Sequence, residues 1–179
     1  MNSSTRNLTL SGMFIALGLL LPLLTGQIPE IGSKLLPMHI PVLLCGFVCG
    51  WPYGLAVGFI TPLLRSLLFT MPPMMPTAVA MAFELAVYGV ASALLYRLLP
   101  KKPAYLYVSL ILTMILGRLV WGAAASVVFP LAGADFGMKI FYTAAVLNAI
   151  PGILLQIVII PPILYALQRA KLLKAAPNA

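Results

Sequence analysis

The chain has 179 residues, of which 62% are hydrophobic and only 8% are charged, and its mean hydropathy is +1.07. Eleven Lys and Arg against three Asp and Glu give a net charge of +8. Most of the basic residues lie near the ends of apolar segments and form no stripe, which argues against a nucleic-acid-binding protein. This composition predicts a protein that is dissolved in the lipid bilayer. Because the apolar runs show no alternation of period two, they favour helices.

The long apolar runs predict one integral membrane domain over residues 1–179, an all-α bundle of six transmembrane helices. The first run follows Arg6 and lacks a small-x-small cleavage site, so we interpret it as a retained helix and not as a signal peptide. The second run contains Pro41 and is too short to span the bilayer alone. In chain order the predicted segments are residues 8–25, 38–49, 51–69, 77–99, 104–129 and 139–170.

The distribution of basic residues predicts the orientation of the bundle. With six spans both termini share one side, and the side richer in Lys and Arg is normally cytoplasmic. Only Lys34 and Lys139 fall on the other side. We therefore predict cytoplasmic termini and outward-facing loops after the first, third and fifth helices. The basic residues on the predicted cytoplasmic side are Arg6, Arg97, Lys101, Lys102, Arg169, Lys171 and Lys174.

Small residues recur at helix-packing intervals. Glycines occupy every fourth position from Gly46 to Gly58, and Gly12 and Ala16 form a further pair on the first helix. Small residues at this spacing let helix backbones approach closely inside a membrane. We predict intramolecular packing for the glycine series, whereas the Gly12 and Ala16 pair could also form a partner surface.

Three ionisable residues, Arg65, Glu84 and Arg118, lie inside apolar segments. A charged group at bilayer depth costs about 2.5–3.5 kcal/mol on insertion scales, so it usually faces the protein interior, a partner or a wet cavity. Arg65 lies near the outer end of its helix and either snorkels to the interface or binds a ligand carboxylate or phosphate. Arg118 is too central to snorkel and either pairs with Glu84 or contacts a ligand. We expect the three side chains to converge on an enclosed chamber that opens to the outside.

Other residues have both a structural and a binding interpretation. His39 at the start of the second segment, and Asn148 in the sixth, either form structural hydrogen bonds or contact a ligand. Tyr88 and Trp121 either pack in the core or stack on a flat ligand. Met75, in a loop rich in proline and methionine, either covers a ligand or plugs the bundle.

The sequence lacks the patterns that enzymes and metal sites usually need. It has no G-x-x-x-x-G-K-[ST] phosphate loop, so hydrolysis of ATP in the usual way is excluded for this chain. The three acids are far apart in sequence, and there is a single histidine. Cys45 and Cys49 offer too few ligands for a metal and are interpreted as small packing residues. We therefore predict no catalytic residues, metal or cofactor.

Several short stretches along the chain carry a resemblance to a known family. Their order and spacing resemble the substrate-binding S component of energy-coupling factor (ECF) vitamin transporters, from Leu8 to about Leu173. The stretches that carry the resemblance are Met38–Phe47, Gly50–Gly58, Gly117-Arg118, Ile150–Gln156 and Pro161-Pro162.

The resemblance implies a six-helix bundle in a prokaryotic plasma membrane that binds a vitamin or related micronutrient with high affinity. It also implies association with a membrane coupling protein and two cytosolic ATPases. The family contacts its coupling protein through an alanine-xxx-alanine pattern, and Gly12 and Ala16 occupy the matching positions here. The resemblance places the ligand between the outer loops after the first and third helices and the later helices. Together with the analysis of single residues, it gives the substrate-binding candidates Gln27, Lys34, His39, Arg65, Met75, Glu84, Tyr88, Arg118, Trp121 and Asn148.

The predicted function is therefore that of a vitamin-binding subunit of an ECF importer, with no enzymatic activity of its own. An arginine-bearing pocket suits an acidic water-soluble vitamin such as pantothenate. An autonomous secondary transporter is the first alternative, although the sparse acids argue against a coupling-ion site. A membrane enzyme and an assembly protein without a ligand are further alternatives.

Overall fold

The computed structural model describes residues 3–25, 34–100 and 102–169, and this part of the chain is helical throughout, with short connections and no strand. The α-helices are α1 (Ser3–Leu20), α2 (His39–Cys49), α3 (Trp51–Phe69), α4 (Val79–Leu98), α5 (Pro103–Leu131), α6 (Met138–Tyr142) and α7 (Ile150–Arg169). A 3-10 turn, Leu21–Thr25, extends α1, and π-helical turns lie at Met74–Ala78 and Thr143–Leu147.

Five helical stretches in the described residues are long and apolar enough to cross a membrane. The shorter helix α2 has 11 residues and rises only about 16 Å, roughly half of a hydrocarbon core of about 30 Å. The predicted all-helical fold is thus confirmed with five candidate spans, and a crossing by α2 stays a prediction. The candidate spans are Ser4–Leu24, Trp51–Phe69, Met74–Leu98, Pro103–Leu131 and Met138–Arg169.

Prolines explain where helices depart from the predicted segments. The predicted first helix, residues 8–25, tightens into a 3-10 turn around Pro22, which has no N–H to continue the α-helical pattern. The predicted sixth helix, residues 139–170, is interrupted between α6 and α7. Pro151 disfavours helical backbone at the residue before it and leaves a carbonyl one turn earlier without its usual donor.

Helix α4 lies at the centre of the bundle and packs against α2, α3 and α5. Helix α2 is buried over nearly its whole length, as expected for a helix that is apolar all round. The core between these helices contains Leu43, Leu85 and Leu110, all fully buried, and Leu164 of α7 joins it. The central position of α4 places any polar residue on its inner face far from lipid.

A glycine seam joins α3 to α4. Gly54 and Gly89 contact each other through their backbones, and a Cβ at Gly58 would collide with the carbonyl of Leu85. The predicted intramolecular packing of the glycine series is confirmed at these positions. Gly50 separates α2 from α3 with a φ of 92°, a conformation that favours glycine.

Polar contacts show that the helices alternate in direction. Near the start of α1, the Asn7 side chain donates a hydrogen bond to the carbonyl of Cys49 at the end of α2, over 3.2 Å. Near the end of α4, the hydroxyl of Tyr96 accepts a hydrogen bond from Gln168 at the end of α7, and its ring packs edge-on against Phe47. The start of α1 and the end of α7 therefore lie at the same end of the bundle. We call it the basic end because it carries Arg6, Arg97, Lys102 and Arg169.

The glycine seam yields a stability prediction. We expect Gly58→Ala to lower the free energy of unfolding by about 1–3 kcal/mol, because the added methyl group must displace the backbone at Leu85. Gly12→Ala is the matched control, since a Cβ at Gly12 meets nothing within 4 Å and alanine is the better helix former. Denaturant titration in detergent micelles, followed by circular dichroism, measures the free energy of unfolding of both variants. Equal stability of the two variants would contradict the seam.

Candidate functional site

Three side chains from three helices meet in the interior of the bundle. Glu84 of α4 contacts Arg118 of α5, with 3.0 Å between Oε1 and Nη1. The same Oε1 atom lies 3.4 Å from Nε2 of His39, the first residue of α2. We call this group the ionic triad. Of the two interpretations of Arg118, the structure shows the pairing with Glu84, and a ligand contact stays a prediction.

The ionic triad is almost completely withdrawn from the surface. His39 and Glu84 are each 1% exposed, and the Arg118 side chain is 12% exposed. Charges in such an environment are tolerated when they are paired and hydrogen-bonded. Glu84 and Arg118 neutralise each other, which explains how an apolar bundle holds both. Arg118 is the most exposed member of the ionic triad.

Tyr88 and Gly117 bring α4 and α5 together beside the ionic triad. Tyr88 follows Glu84 by one helical turn and therefore shares its face. Its ring packs edge-on against His39, with 5.2 Å between ring centroids. A side chain at Gly117 would overlap the Tyr88 ring. The glycine therefore allows α5 to approach α4 closely, which brings Arg118 within reach of Glu84. The Tyr88 hydroxyl lies 3.5 Å from the carbonyl of Met114, to which it donates.

Several buried polar atoms of α5 and α7 have no hydrogen-bond partner in the described part of the chain. They include Nε and Nη2 of Arg118, Nε2 of Gln156, and the hydroxyls of Ser109 and Thr113. An unsatisfied buried donor costs about 1–3 kcal/mol, so such atoms are expected to meet water or a ligand. The N–H groups can only donate, which favours a ligand that carries acceptor oxygens.

Ser109 and Thr113 were not among the residues singled out from the sequence. Ser109 lies eight residues and Thr113 four residues before Gly117, and this spacing places all three on one face of α5. Both are fully buried. The helical spacing from Gly117 is the pattern that could have identified them.

Arg65 is engaged away from the ionic triad. Its Nη1 donates a hydrogen bond to the carbonyl of Leu19, over 2.6 Å, and its guanidinium lies over the ring of Phe69 at 5.2 Å. At 3% exposure it does not snorkel to the interface. Glu84 and Arg118 thus meet as expected, whereas Arg65 does not join them and ties α3 to the end of α1. The enclosed chamber that opens to the outside stays a prediction. A contact between Arg65 and a ligand remains a prediction.

Trp121 belongs to an aromatic cluster under the connection between α5 and α6. Its ring stacks on Phe141, with 6.2 Å between centroids and an interplanar angle of 23°. Phe136 and Phe129 pack edge-on against it at 5.9 and 6.5 Å. The packing interpretation of Trp121 is therefore observed, and stacking on a ligand remains a prediction.

Three further candidates, Lys34, Met75 and Asn148, lie at the end of the bundle opposite the basic end. Lys34 is exposed, and its backbone lies against Gly152 of α7. Met75 is 47% exposed within its π-helical turn, and Asn148 is half-buried just after the second such turn. Gln27 lies outside the described residues. Ligand contacts of all four remain predictions.

Gly12 and Ala16 lie on the outer surface of α1. Both are exposed, and so are the neighbouring apolar side chains of Met13, Leu17 and Leu20. The pair is therefore available to a partner helix or to lipid, and it takes no part in the packing of the described bundle.

No group of three His, Cys, Asp or Glu side chains in the described residues could hold a metal ion. Cys45 and Cys49 are buried free thiols on α2. The Cys45 sulfur lies 3.9 Å from the hydroxyl of Ser11 on α1, a contact of the packing kind predicted for these cysteines.

The pairing of Glu84 with Arg118 can be measured with a double-mutant cycle. We expect Glu84→Leu and Arg118→Leu each to lower the free energy of unfolding by about 3–5 kcal/mol, because each leaves a buried charge unpaired. The double variant should recover a large part of this loss. Denaturant titration in micelles gives the coupling energy.

The control for this cycle is the pair Glu84→Leu and Arg65→Leu. These residues have separate partners, so their effects should add within about 0.5 kcal/mol. Additive losses for Glu84 and Arg118 as well would contradict the ion pair.

Comparison with known proteins assigns the chain to a family. A family model for the substrate-specific component of ECF transporters matches residues 6–165, and this range contains the ionic triad and all the described helices in whole or in part. No curated protein and no solved structure matched the chain. The predicted family is confirmed, and this chain belongs to the substrate-specific components of ECF transporters.

Proposed function

We propose that this substrate-specific component captures a water-soluble vitamin or a related micronutrient at a site that faces the outside of the cell. The family match over residues 6–165 supports a role in substrate capture for import. The ionic triad supports a polar ligand, because an apolar bundle would otherwise gain little from burying three ionisable side chains.

Arg118 carries the proposal. Its Nη1 is paired with Glu84, whereas Nε and Nη2 have no partner in the described part of the chain. It is also the most accessible member of the ionic triad. The planar guanidinium can bind a carboxylate or phosphate through two parallel hydrogen bonds. A ligand anion that completes the coordination of Arg118 would satisfy both free donors at once.

The ligand class that fits these donors best is an acidic vitamin with further acceptor oxygens. The buried side-chain amide of Gln156 offers its N–H group without a partner in the described residues, and a carbonyl or hydroxyl oxygen would accept from it. Pantothenate has a carboxylate together with an amide and hydroxyls, and it is the candidate that we propose to test first. Exclusion of water after binding would strengthen the contact with Arg118.

We further propose that the whole chain forms one membrane domain with six crossings and cytoplasmic termini. The alternating helix directions and the shared position of the two described chain ends support this topology. The basic residues at that end support a cytoplasmic position. The short helix α2 would supply the second crossing.

The proposed partners are a membrane coupling protein and two cytosolic ATPases that supply the energy for import. We propose that Gly12 and Ala16 contact the coupling protein, since they are exposed, small and one turn apart on α1. The chain itself would have no enzymatic activity. Its buried carboxylate, Glu84, is engaged by Arg118 and His39 and is not free to act as a base.

The ligand proposal predicts the effect of Arg118→Ala. We expect the affinity for ligand to fall more than tenfold, because a buried hydrogen bond to a charged group contributes about 1.5–3 kcal/mol. Mass spectrometry of small molecules released from gently purified protein identifies the ligand, and titration calorimetry with that compound, and with pantothenate, gives the affinity.

Arg97→Ala serves as the matched control, because it removes an exposed positive charge at the basic end. It should retain the wild-type affinity. Unchanged affinity in Arg118→Ala would refute the assigned role of the guanidinium, and release of a ligand without an anionic group would refute the acidic class.

The partner proposal predicts the effect of Ala16→Leu. We expect normal ligand binding but loss of co-purification with the coupling protein, because a larger side chain prevents close helix approach. Ala123→Leu makes the same change at an exposed position of α5 and should assemble normally. Normal assembly of Ala16→Leu would show that the coupling protein binds elsewhere.

A further inference from the structure

A groove on the surface of the bundle lies at the basic end between α1, α2 and α7. Its lining consists of Arg6, Leu10, Phe14, Val48 and Leu167, and its volume is about 220 Å³. This is several times the roughly 30 Å³ that one water molecule takes up in the liquid. Four of the five lining side chains are apolar, so water is a poor occupant of the groove.

Arg6 borders the groove at the end nearest the start of α1, and the surface of the groove itself is apolar. The Nε of Arg6 is buried and has no hydrogen-bond partner in the described residues. The rest of the basic end adds the exposed side chains of Arg97, Lys102 and Arg169. The groove is therefore apolar, and a half-buried arginine with one unpartnered nitrogen lies at its border, within a region of positive charge.

The order of residues along α1 matches the order of groups in a lipid. Arg6, Leu10 and Phe14 are spaced by four residues, so they share one face of the helix and extend over about 12 Å. Because α1 starts at the basic end, Arg6 lies nearest the membrane surface and Phe14 lies deepest. A phospholipid presents its groups in the same order, with the phosphate at the surface and the acyl chain below.

We propose that this groove binds an anionic phospholipid, with the phosphate held by Arg6 and one acyl chain lying along Leu10, Phe14, Val48 and Leu167. The guanidinium fork suits phosphate oxygens. A basic end that faces the cytoplasmic leaflet would meet anionic lipids there, since that leaflet carries them.

The groove is separate from the surface proposed for the coupling protein. At about 100° per residue, Gly12 lies roughly 200° around α1 from Leu10, and Ala16 lies roughly 200° from Phe14. The two faces of α1 can therefore be occupied at the same time. The lipid would fill the space between α1 and α7 at the end where both helices meet the membrane surface.

The test uses the purified full chain reconstituted in vesicles of equal parts phosphatidylglycerol and phosphatidylcholine, released into the gas phase for native mass spectrometry. We expect the wild type to retain phosphatidylglycerol in preference to phosphatidylcholine. Arg6→Gln should reduce the retained phosphatidylglycerol at least fivefold. Arg97→Gln removes the same charge at the same end and should change retention less than twofold. Leu167→Trp, which fills the groove and keeps Arg6, should reduce retention as Arg6→Gln does.

Three outcomes would overturn the proposal. Equal losses in Arg6→Gln and Arg97→Gln would show attraction of anionic lipid by overall charge and not by a site. Unchanged retention in Arg6→Gln would show that the guanidinium does not hold the phosphate. Unchanged retention in Leu167→Trp would show that the acyl chain does not lie in the groove. Circular dichroism confirms that each variant is folded before it is scored.

Discussion

The ion pair between Glu84 and Arg118 is the interaction on which the interior of this bundle depends. Two charges in an apolar protein are tolerated only if they meet, and their distance of 3.0 Å requires α4 and α5 to be held in one register. Gly117, the residue before Arg118, packs against the Tyr88 ring and so fixes the position of α5 along α4. The packing of small residues and the burial of charge are thus parts of the same arrangement.

Within the ionic triad, Glu84 and His39 are enclosed by their neighbours, whereas Arg118 has nitrogens without a partner in the described residues. Glu84 is surrounded by its partners, and His39 is enclosed between Glu84 and the ring of Tyr88. Arg118 contacts Glu84 through Nη1, whereas its Nε and Nη2 have no hydrogen-bond partner in the described residues. The proposed contact between Arg118 and a ligand would benefit from this pairing, because a side chain that is already held in place loses less conformational freedom on binding.

Much of the fold could be predicted from the sequence, because helices in a membrane follow from apolar length alone. The predicted segment 51–69 coincides with α3, and 77–99 and 104–129 differ from α4 and α5 by one or two residues at each end. The sequence also indicated Glu84 and Arg118, since charges inside apolar runs stand out. It could not show that Arg65 binds the carbonyl of Leu19, because that contact depends on which helices are neighbours. The break before α7 was likewise missed, although Pro151 marked its place.

The start of α2 has an electrostatic consequence for the interior. A helix N-terminus carries the equivalent of about half a positive charge, and α2 begins at His39, directly beside the Glu84 carboxylate. The charges of Glu84 and Arg118 cancel. The backbone of α2 therefore makes the electrostatic potential around the ionic triad positive even when the His39 ring is neutral. The N-terminus of α2, buried in the interior of the bundle, is thereby a fixed source of positive electrostatic potential beside the ionic triad. An incoming anion would be attracted by the peptide dipoles of α2 as well as by a side chain.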